Sequence, residues 1–588
     1  MKTRGAKLLM TASVVVLVVT VASIGSASAQ LVRSNDCSSS IGPLREFAGT
    51  SIGPQECIIL SESSVRSASG DIYGRLEIGV TGTIEGYTPL EGTRSEMFTD
   101  APEFALAQRG NLGPYYHGIG YYIAAKGSGM TLFLPQSAEA WNGKLFVLSH
   151  GSGNYSRIGE IPPRQPGQYP QRQGANSYAG PMIDQGYAVA YTRRPACCGT
   201  RPPNPDVVRP KDEEVRLDDG TILRNKTFGY HVGLLIDWTE IAKNLVEERL
   251  GRRPERTYWY GKSGGAALGR IANYKPGANL DHQGNQMYDG MLINDAGGGW
   301  YWPEVRFSRV EMGPGVFALK PQKEDTLVVD DAYRQSFAYQ IDIAHQNYTG
   351  ADHVQGEYLF VKRENVRLLK EKGLDARSRT YEIAGVSHSD SGAPGNLDMS
   401  GMFDALIQTL DRWVEEGVEP SPTRSDAQFL GDLPAVQLPE MACPTGIYIE
   451  YSQEAPQPGR TTFVTYMEQS RLSINADVFE LPSGYDPEWL EPVDRRGYLV
   501  DMNKNGVRDT RESIQQAWQR RWREGEQYGA LAPGEEFTHQ RYVNCITQVT
   551  SDLVKENLLS TLAESYYVRL AQESDIGKTP SEPSMSSR

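Results

Sequence analysis

The 588-residue chain is poor in the side chains that commonly build structural metal centres, with six cysteines and eight histidines. It contains no paired CxxC motifs and no CxxC motif followed by HxxxH, which argues against structural zinc. Basic residues are also in deficit, 59 against 73 acidic residues, for a net charge of −14. A body this acidic would repel phosphates, so the composition argues against nucleic acid or an anionic membrane surface as a partner.

Long apolar runs are absent beyond the N-terminal region, so no internal membrane-spanning helix is predicted. Hydrophobic residues nevertheless make up 39% of the chain and charged residues 22%, which is enough for a large core. The length suits one large elaborated domain or about two to three smaller ones.

The first 29 residues have the pattern of a secretory signal peptide. Three basic residues within 1–7 precede an apolar stretch over 8–24, and the small-x-small site Ala27-Ser28-Ala29 stands before Gln30. An uncleaved membrane anchor is the alternative, but the short apolar stretch and the well-formed site favour cleavage. The mature chain is therefore predicted to be secreted or periplasmic, with no membrane span left after cleavage.

Export to an oxidising compartment makes disulfides the expected use of an even number of cysteines. Cys37 and Cys57 are candidates to pair in the N-terminal segment, and Cys443 and Cys545 are candidates in the C-terminal region. The adjacent Cys197 and Cys198 leave open a vicinal disulfide or two separate partners.

Residues 30–70 are rich in serine and glycine and predict an irregular leader, whereas alternating stretches over 71–135 predict β-strands. Beyond them, strands alternate with helices, which predicts a mostly parallel sheet with helices on both faces. The predicted core strands lie within 144–153, 187–194, 256–261, 287–299, 339–352 and 379–383, and the helices within 230–251, 263–274, 361–373 and 402–417. The predicted domains are the signal peptide (1–29), a β-rich segment joining the sheet (30–135), an α/β core (136–420) and a mixed α+β C-terminal extension (421–588).

Gly261-Lys262-Ser263-Gly264-Gly265 fits G-x-S-x-G between a predicted strand and a predicted helix. An ordinary Gly-Ser turn is the alternative, and the strand–turn–helix context favours Ser263 as a nucleophile. The flanking glycines allow a tight turn that exposes the hydroxyl at the positive end of the helix. The amide of Gly264 is predicted to stabilise an oxyanion.

A serine nucleophile needs a base, and the base needs an acid that orients it. The chain order in this arrangement is Ser, then Asp or Glu, then His. His388 follows a late predicted strand and is the predicted base. Asp352, at the end of the preceding strand, is the predicted acid, and Asp295, Asp330 and Asp331 stay open as alternatives.

The second oxyanion donor is expected from the loop after the first core strand. There, His150-Gly151-Ser152-Gly153 loosely resembles the HGGG type of esterases. Gly151 is the preferred donor and Ser152 the second choice, with a plain glycine-rich turn as the alternative. After a later strand, Trp300, Tyr301 and Trp302 are candidates to line an acyl pocket, and packing in the core is about equally plausible for them.

Several stretches resemble a group of secreted bacterial α/β-hydrolase-domain proteins over roughly residues 100–575. They are TYWYGKSGGAALGRIANY, DGMLINDAGGG, NYTGAD, RTYEIAGVSH, LPEMACPTGIY and RYVNCITQVTSDLVKENLL. The resemblance implies an α/β-hydrolase fold, serine-dependent ester hydrolysis and an acidic residue at the position of Asp352. Tannase and feruloyl-esterase relatives carry cysteines directly before the nucleophile and the histidine, where this chain has Lys262 and Ser387.

A second motif, D-x-[DN]-x-[DN]-G-x₅-E, lies far from the serine and predicts a calcium-binding loop followed by a helix. The predicted ligands are Asp501, Asn503, Asn505, the carbonyl of Val507, Asp509 and Glu512. A solvated polar turn is the alternative. A single loop of this kind on an exported protein predicts a structural Ca²⁺ rather than a sensor.

Together these features predict a secreted serine esterase that acts on a small-molecule or polymeric ester, with structural Ca²⁺ and no organic cofactor. A peptidase or acyltransferase with the same triad is one alternative. A non-catalytic, calcium-dependent surface or binding protein on a hydrolase scaffold is the other.

Overall fold

The computed structural model describes part of the chain. The described residues are 36–42, 45–47, 50–66, 72–84, 87–88, 130–150, 179–192, 214–217, 222–224, 227–262, 264–274, 279–281, 283–295, 307–313, 316–321, 328–347, 357–387, 397, 399–426, 433–449, 462–465, 472–474, 477–479, 510–511, 514–524 and 531–578. They all belong to one compact unit, Asp36–Arg588.

Strands in the described part of the chain number twenty. They are β1 (Arg45–Phe47), β2 (Thr50–Arg66), β3 (Ile72–Ile84), β4 (Tyr87–Thr88), β5 (Met130–Pro135), β6 (Lys144–His150), β7 (Ala188–Thr192), β8 (Glu214–Leu217), β9 (Ile222–Arg224), β10 (Arg256–Lys262), β11 (Gly290–Asn294), β12 (Phe307–Gly313), β13 (Val316–Pro321), β14 (Tyr339–Asn347), β15 (Ser378–Ser387), β16 (Gly446–Ile449), β17 (Thr462–Thr465), β18 (Leu472–Ile474), β19 (Asp477–Phe479) and β20 (Thr510–Arg511). All six predicted core strands are confirmed, although their ends differ by several residues.

The α-helices of the same part are α1 (Ala179–Asp184), α2 (Thr227–Leu250), α3 (Gly264–Tyr274), α4 (Asp331–Ser336), α5 (Glu357–Glu371), α6 (Ser400–Glu416), α7 (Pro439–Ala442), α8 (Ile514–Glu524), α9 (His539–Lys555) and α10 (Thr561–Glu573). The four predicted core helices correspond to α2, α3, α5 and α6. Within the described residues, no helix combines the length and apolar character needed to cross a bilayer.

The central sheet has ten strands in the order β1-β2-β3-β5-β7-β6-β10-β11-β14-β15. The six strands from β7 to β15 run parallel. On the other side β5 runs antiparallel to both β3 and β7. This strand order, with helices on both faces, is that of the α/β-hydrolase fold, and the predicted fold class is confirmed.

Alternating residues of the parallel strands build two hydrophobic layers, one on each face of the sheet. Tyr258 and Tyr260 of β10 belong to the layer that includes α1 and α6. Trp259 points to the opposite face and packs with residues of α2 and α3. The strands are apolar on both faces because helices cover both, as expected for a parallel sheet.

The prediction of an irregular leader over 30–70 is wrong, because β1 and β2 lie there. β2 has 17 residues and pairs with β3 along most of its length. Cys57 and Ile59 are buried while Ile58 between them is 43% exposed, which is the alternation of a strand with one buried face. Serine and glycine are tolerated here because pairing with β3 and packing of that face outweigh their low strand propensity.

The C-terminal helices pack into the same hydrophobic layer as the sheet. Trp522 of α8 and Ile546 of α9 are buried there together with Leu406 of α6. The side chain of Thr409 on α6 donates a hydrogen bond of 3.1 Å to the carbonyl of Asn557, just beyond α9. The helical part of the predicted C-terminal extension therefore shares its core with the sheet.

Two of the predicted disulfides are confirmed, Cys37–Cys57 and Cys443–Cys545. The first joins the N-terminal segment to β2, and the second joins the end of α7 to α9. They close loops of different length, with sequence separations of 20 and 102 residues. Cys197 and Cys198 lie outside the described residues.

The difference in loop length leads to a prediction for the two disulfides. Replacing Cys443 and Cys545 by alanine is expected to lower the free energy of unfolding by about 4.7 kcal/mol, and replacing Cys37 and Cys57 by about 3 kcal/mol, because the longer loop restricts the unfolded chain more. Urea denaturation of the two double variants measures both values. A larger loss for the Cys37–Cys57 variant would contradict this explanation.

Candidate functional site

The junction between β10 and α3 is one residue long. β10 ends at Lys262 and α3 begins at Gly264, with Ser263, which lies outside the described residues, as the one residue between them. A Cβ atom on Gly261 would lie 2.7 Å from the backbone nitrogen of Ala266. Because real Cβ atoms do not approach backbone so closely, a glycine is required for α3 to begin against the end of β10. This is the role that G-x-S-x-G assigns to its first glycine.

The chain positions of the predicted triad follow three parallel strands. Ser263 follows β10, His388 follows β15 directly, and Asp352 comes five residues after the end of β14 at Asn347. Since β10, β11, β14 and β15 pair in parallel, their carboxyl ends lie at one edge of the sheet. At about 4.8 Å per strand, the ends of β10 and β15 are about 14 Å apart. Asp352 and His388 lie outside the described residues, and their assignment stays a prediction.

The end of β15, just before His388, contains a β-bulge. His345 pairs with Ile383 and Asn347 pairs with Ser387, so β15 uses four residues where β14 uses two. Gly385 lies in the bulge with a φ of +72°, a conformation that glycine adopts without strain. The strand predicted over 379–383 therefore continues to Ser387, because the glycine bends the strand without ending it.

The predicted oxyanion donors follow two adjacent strand ends. β6 lies next to β10, and its last residue, His150, pairs with Lys262. Gly151 and Ser152 come directly after His150 and lie outside the described residues, whereas Gly264 is the first residue of α3. The two candidate segments therefore leave neighbouring strands at the same edge, as an oxyanion hole requires.

Two of the alternative acids, Asp330 and Asp331, are at the wrong edge of the sheet. Asp330 caps α4 by accepting a hydrogen bond of 2.8 Å from the backbone nitrogen of Tyr333, and the exposed Asp331 lies in the first turn of that helix. Because α4 precedes β14, both residues lie near the amino end of β14. Asp295, directly after β11, is the alternative that lies at the same edge as the end of β10.

Sequence reasoning missed a set of buried ion pairs near this edge. Each pair joins a carboxylate of one of the parallel strands, or of the residue after it, to a cation on a flanking helix. The pairs are Asp295 with Lys362, Asp342 with Arg270, and Glu382 with Arg363. The three carboxylates are at most 1% exposed. Removing one member of such a pair typically costs about 3–5 kcal/mol, because it leaves a buried charge uncompensated.

Burial shifts the protonation of these groups. It raises the pKa of the Asp342 carboxyl, an effect that Arg270 opposes. Burial, together with the nearby cations Arg270 and Lys262, lowers the pKa of the Lys362 ammonium, an effect that its ion pair with the Asp295 carboxylate opposes. The acidic residues interrupting apolar strands, as in QIDIAH, were the available sequence signal, since a charge in a buried strand needs a partner.

The remaining predicted site residues lie outside the described residues. They are Trp300, Tyr301 and Trp302 of the predicted acyl pocket, and Asp501, Asn503, Asn505, Val507, Asp509 and Glu512 of the predicted calcium loop. Among the described residues, no group of three or more histidine, cysteine or acidic side chains is arranged to hold a metal ion.

Comparison with known proteins gives similarity to solved structures alone. No protein-family model and no curated protein matches the chain. Tannin acyl hydrolase from Aspergillus niger is 11% identical, with a TM-score of 0.34 over 73% of this chain and 91% of that one. Feruloyl esterase B from Aspergillus oryzae is 11% identical, with a TM-score of 0.31 over 62% and 88%. Esterase 2 from Thermogutta terrifontis is 11% identical, with a TM-score of 0.29 over 49% and 90%. The strand order of the central sheet is what identifies the α/β-hydrolase fold.

The crowding at Gly261 leads to a prediction. Gly261→Ala is expected to lower the free energy of unfolding by about 3 kcal/mol, because the added methyl group meets the backbone of α3. Gly74→Ala on β3 is the matched control, since its nearest neighbours would be 3.8 Å away. Chemical denaturation measures both, and equal losses would show that the contact between β10 and α3 is not as tight as described.

Proposed function

We propose that the protein is a secreted serine hydrolase that cleaves a carboxylic ester. The observation that supports it most is the one-residue junction at which β10 passes into α3, because a serine there is the nucleophile of α/β-hydrolases. The order of chain positions adds support. Position 352 follows β14 and position 388 follows β15, which is the order Ser, acid, His at one edge of a parallel sheet.

In the proposed reaction the hydroxyl oxygen of Ser263 attacks the ester carbonyl carbon, and His388 accepts the hydroxyl proton. The amides of Gly264 and of Gly151 or Ser152 stabilise the negative charge on the carbonyl oxygen. The bond to the alcohol then breaks, and His388 returns the proton to the leaving alkoxide. Water attacks the acyl-serine in the same way and releases the acid. Asp352 accepts a hydrogen bond from His388 and holds its ring in the required tautomer.

The proposed substrate is a small-molecule or polymeric ester, with Trp300, Tyr301 and Trp302 lining the acyl side of the pocket. Aromatic side chains bind an apolar acyl group through large contact areas with little loss of conformational entropy. The net charge of −14 supports a substrate that is not strongly anionic.

The proposed nucleophile is tested with a single substitution. Ser263→Ala is expected to reduce the hydrolysis of a chromogenic ester by at least about 10⁴-fold, because no covalent intermediate can form. It is also expected to abolish covalent labelling by a fluorophosphonate probe, which reacts only with an activated serine. Ser565→Ala is the control, because this serine is exposed on α10, and it should leave both readouts unchanged.

Two outcomes would contradict the proposal. Hydrolysis retained in Ser263→Ala would exclude this serine as the nucleophile. A folded wild-type protein that neither hydrolyses esters nor reacts with the probe would point instead to a binding protein on a hydrolase scaffold.

We further propose that residues 501–512 bind a structural Ca²⁺. The complete match to the calcium-loop motif supports it, as does the start of α8 at Ile514, two residues after the last ligand Glu512. α8 is anchored to the core, since the Trp522 indole donates a hydrogen bond of 2.7 Å to the carbonyl of Pro444. An ion at the start of this helix would therefore stabilise the C-terminal part of the core.

Calcium removal tests this proposal. At a free Ca²⁺ concentration about 100-fold above Kd, binding stabilises the folded protein by about 2.7 kcal/mol, so a chelator is expected to lower Tm by about 2 °C. Asp501→Ala should have a low Tm that the chelator no longer changes. Equal chelator effects on wild type and Asp501→Ala would place the ion elsewhere, and no effect on wild type would exclude a stabilising ion.

Secretion or periplasmic export is also proposed, with cleavage after Ala29. The pattern of residues 1–29 supports it, and so do the disulfides Cys37–Cys57 and Cys443–Cys545, which persist in oxidising compartments.

A further inference from the structure

Asp295 contacts both elements that anchor the connection containing Asp352. This connection, residues 348–356, runs from the end of β14 at Asn347 to the start of α5 at Glu357. On the β14 side, the backbone nitrogen of His345 donates a hydrogen bond of 3.2 Å to Oδ1 of Asp295. On the α5 side, the ammonium of Lys362 forms an ion pair with the same oxygen.

Asp295 is itself held in an unusual conformation. Its φ is +52°, in the left-handed region that few residues other than glycine, asparagine and aspartate adopt. Its backbone nitrogen donates a hydrogen bond of 2.9 Å to the carbonyl of Ile343, and its side chain is fully buried. Strained residues of this kind persist when their surroundings hold them firmly, and they cluster at functional sites.

Asp295 and the proposed nucleophile, Ser263, come directly after two residues that pair with each other across β10 and β11. Lys262, which precedes Ser263, pairs with Asn294, which precedes Asp295. The Asn294 amide donates a hydrogen bond of 2.9 Å to the hydroxyl of Tyr260 on β10, which ties the two strand ends together. One buried carboxylate thus connects the end of β11 with both anchors of the following connection.

We propose that Asp295 is a positioning residue for the triad acid. Through His345 and Lys362 it sets the distance and orientation between the end of β14 and the start of α5. Because Asp352 comes between these two anchors in the chain, we expect its role as triad acid to depend on them. The inference rests on the proposed function, because it assigns a role within the same catalytic site.

The ion pair of Asp342 with Arg270 provides a matched control. It has the same chemistry and is equally buried, with both side chains 1% exposed. It joins β14 to α3 rather than to α5, and therefore does not link the two anchors of residues 348–356. A variant of this pair loses a comparable buried interaction without breaking the link between the two anchors, and it is therefore the control for hydrogen exchange of residues 348–356.

The first experiment is a double-mutant cycle measured by ester hydrolysis. Asp295→Asn keeps the side-chain size, tolerates a positive φ and removes the charge. It is expected to lower kcat by about 100-fold with little change in KM, because a small displacement of a catalytic group has effects of this size. Asp352→Asn is expected to lower kcat by about 10⁴-fold. If Asp295 acts through Asp352, adding Asp295→Asn to Asp352→Asn causes no further loss.

Three results would overturn the inference. The losses of the two variants multiply in the double variant, or kcat of Asp295→Asn is the same as that of wild type. In the third, Asp352→Asn is fully active while Asp295→Asn is inactive, which would make Asp295 the triad acid itself. Asp295→Asn alone leaves the charge of Lys362 buried and could fail to fold. In that case the variant that combines Asp295→Asn with Lys362→Met, which removes both charges, takes the place of Asp295→Asn in the cycle.

Hydrogen exchange of peptides covering residues 348–356 separates this inference from the proposed function, because it does not require activity. Exchange is expected to be faster in Asp295→Asn than in wild type and in Asp342→Asn. Unchanged exchange in Asp295→Asn would overturn the anchoring role whatever the activity. Faster exchange together with full activity of Ser263→Ala would retain the anchoring role and reject the proposed function.

Discussion

Parallel pairing of β6, β10, β11, β14 and β15 is the constraint on which the candidate site depends. In a parallel sheet all strands end at one edge, so segments far apart in the chain leave the sheet side by side. The strand ends that precede Ser263, the glycine-rich residues 151–153 and His388 are thereby brought to one edge. The tight packing of α3 on the end of β10 then leaves a single position, residue 263, at the turn.

Buried charge near this edge gives the strand ends a second set of constraints. Asp295, Asp342 and Glu382 pair with cations on α3 and α5, so each helix is fastened to particular strands rather than merely packed on them. An apolar layer of equal volume tolerates small shifts of a helix, whereas a buried carboxylate requires its cation at a defined distance. We regard this as the reason that charges are kept inside an otherwise apolar sheet.

The elements with a strong local pattern were predictable, and those whose stability comes from partners were not. The order of strand, serine and helix around Ser263 could be predicted, because an apolar strand pattern, the G-x-S-x-G motif and a helix-forming run follow one another directly in the sequence. β2 was missed because its serine-rich sequence has a low strand propensity, and its stability comes from pairing with β3 and from the disulfide of Cys57. The extension of β15 to Ser387 was missed because a glycine that signals a loop also permits a bulge.

The sequence by itself determined the alternation of strands and helices, the pairing candidates among four cysteines and the order of the proposed triad residues. Apolar periodicity and short motifs are local, so they are visible without coordinates. Only the tertiary structure decided the edge at which each acid lies. It placed Asp330 and Asp331 near the amino end of β14, and it showed that Asp295 forms an ion pair with Lys362. The physical reason is that strand order and ion pairing depend on contacts between residues far apart in the chain, which no local pattern encodes.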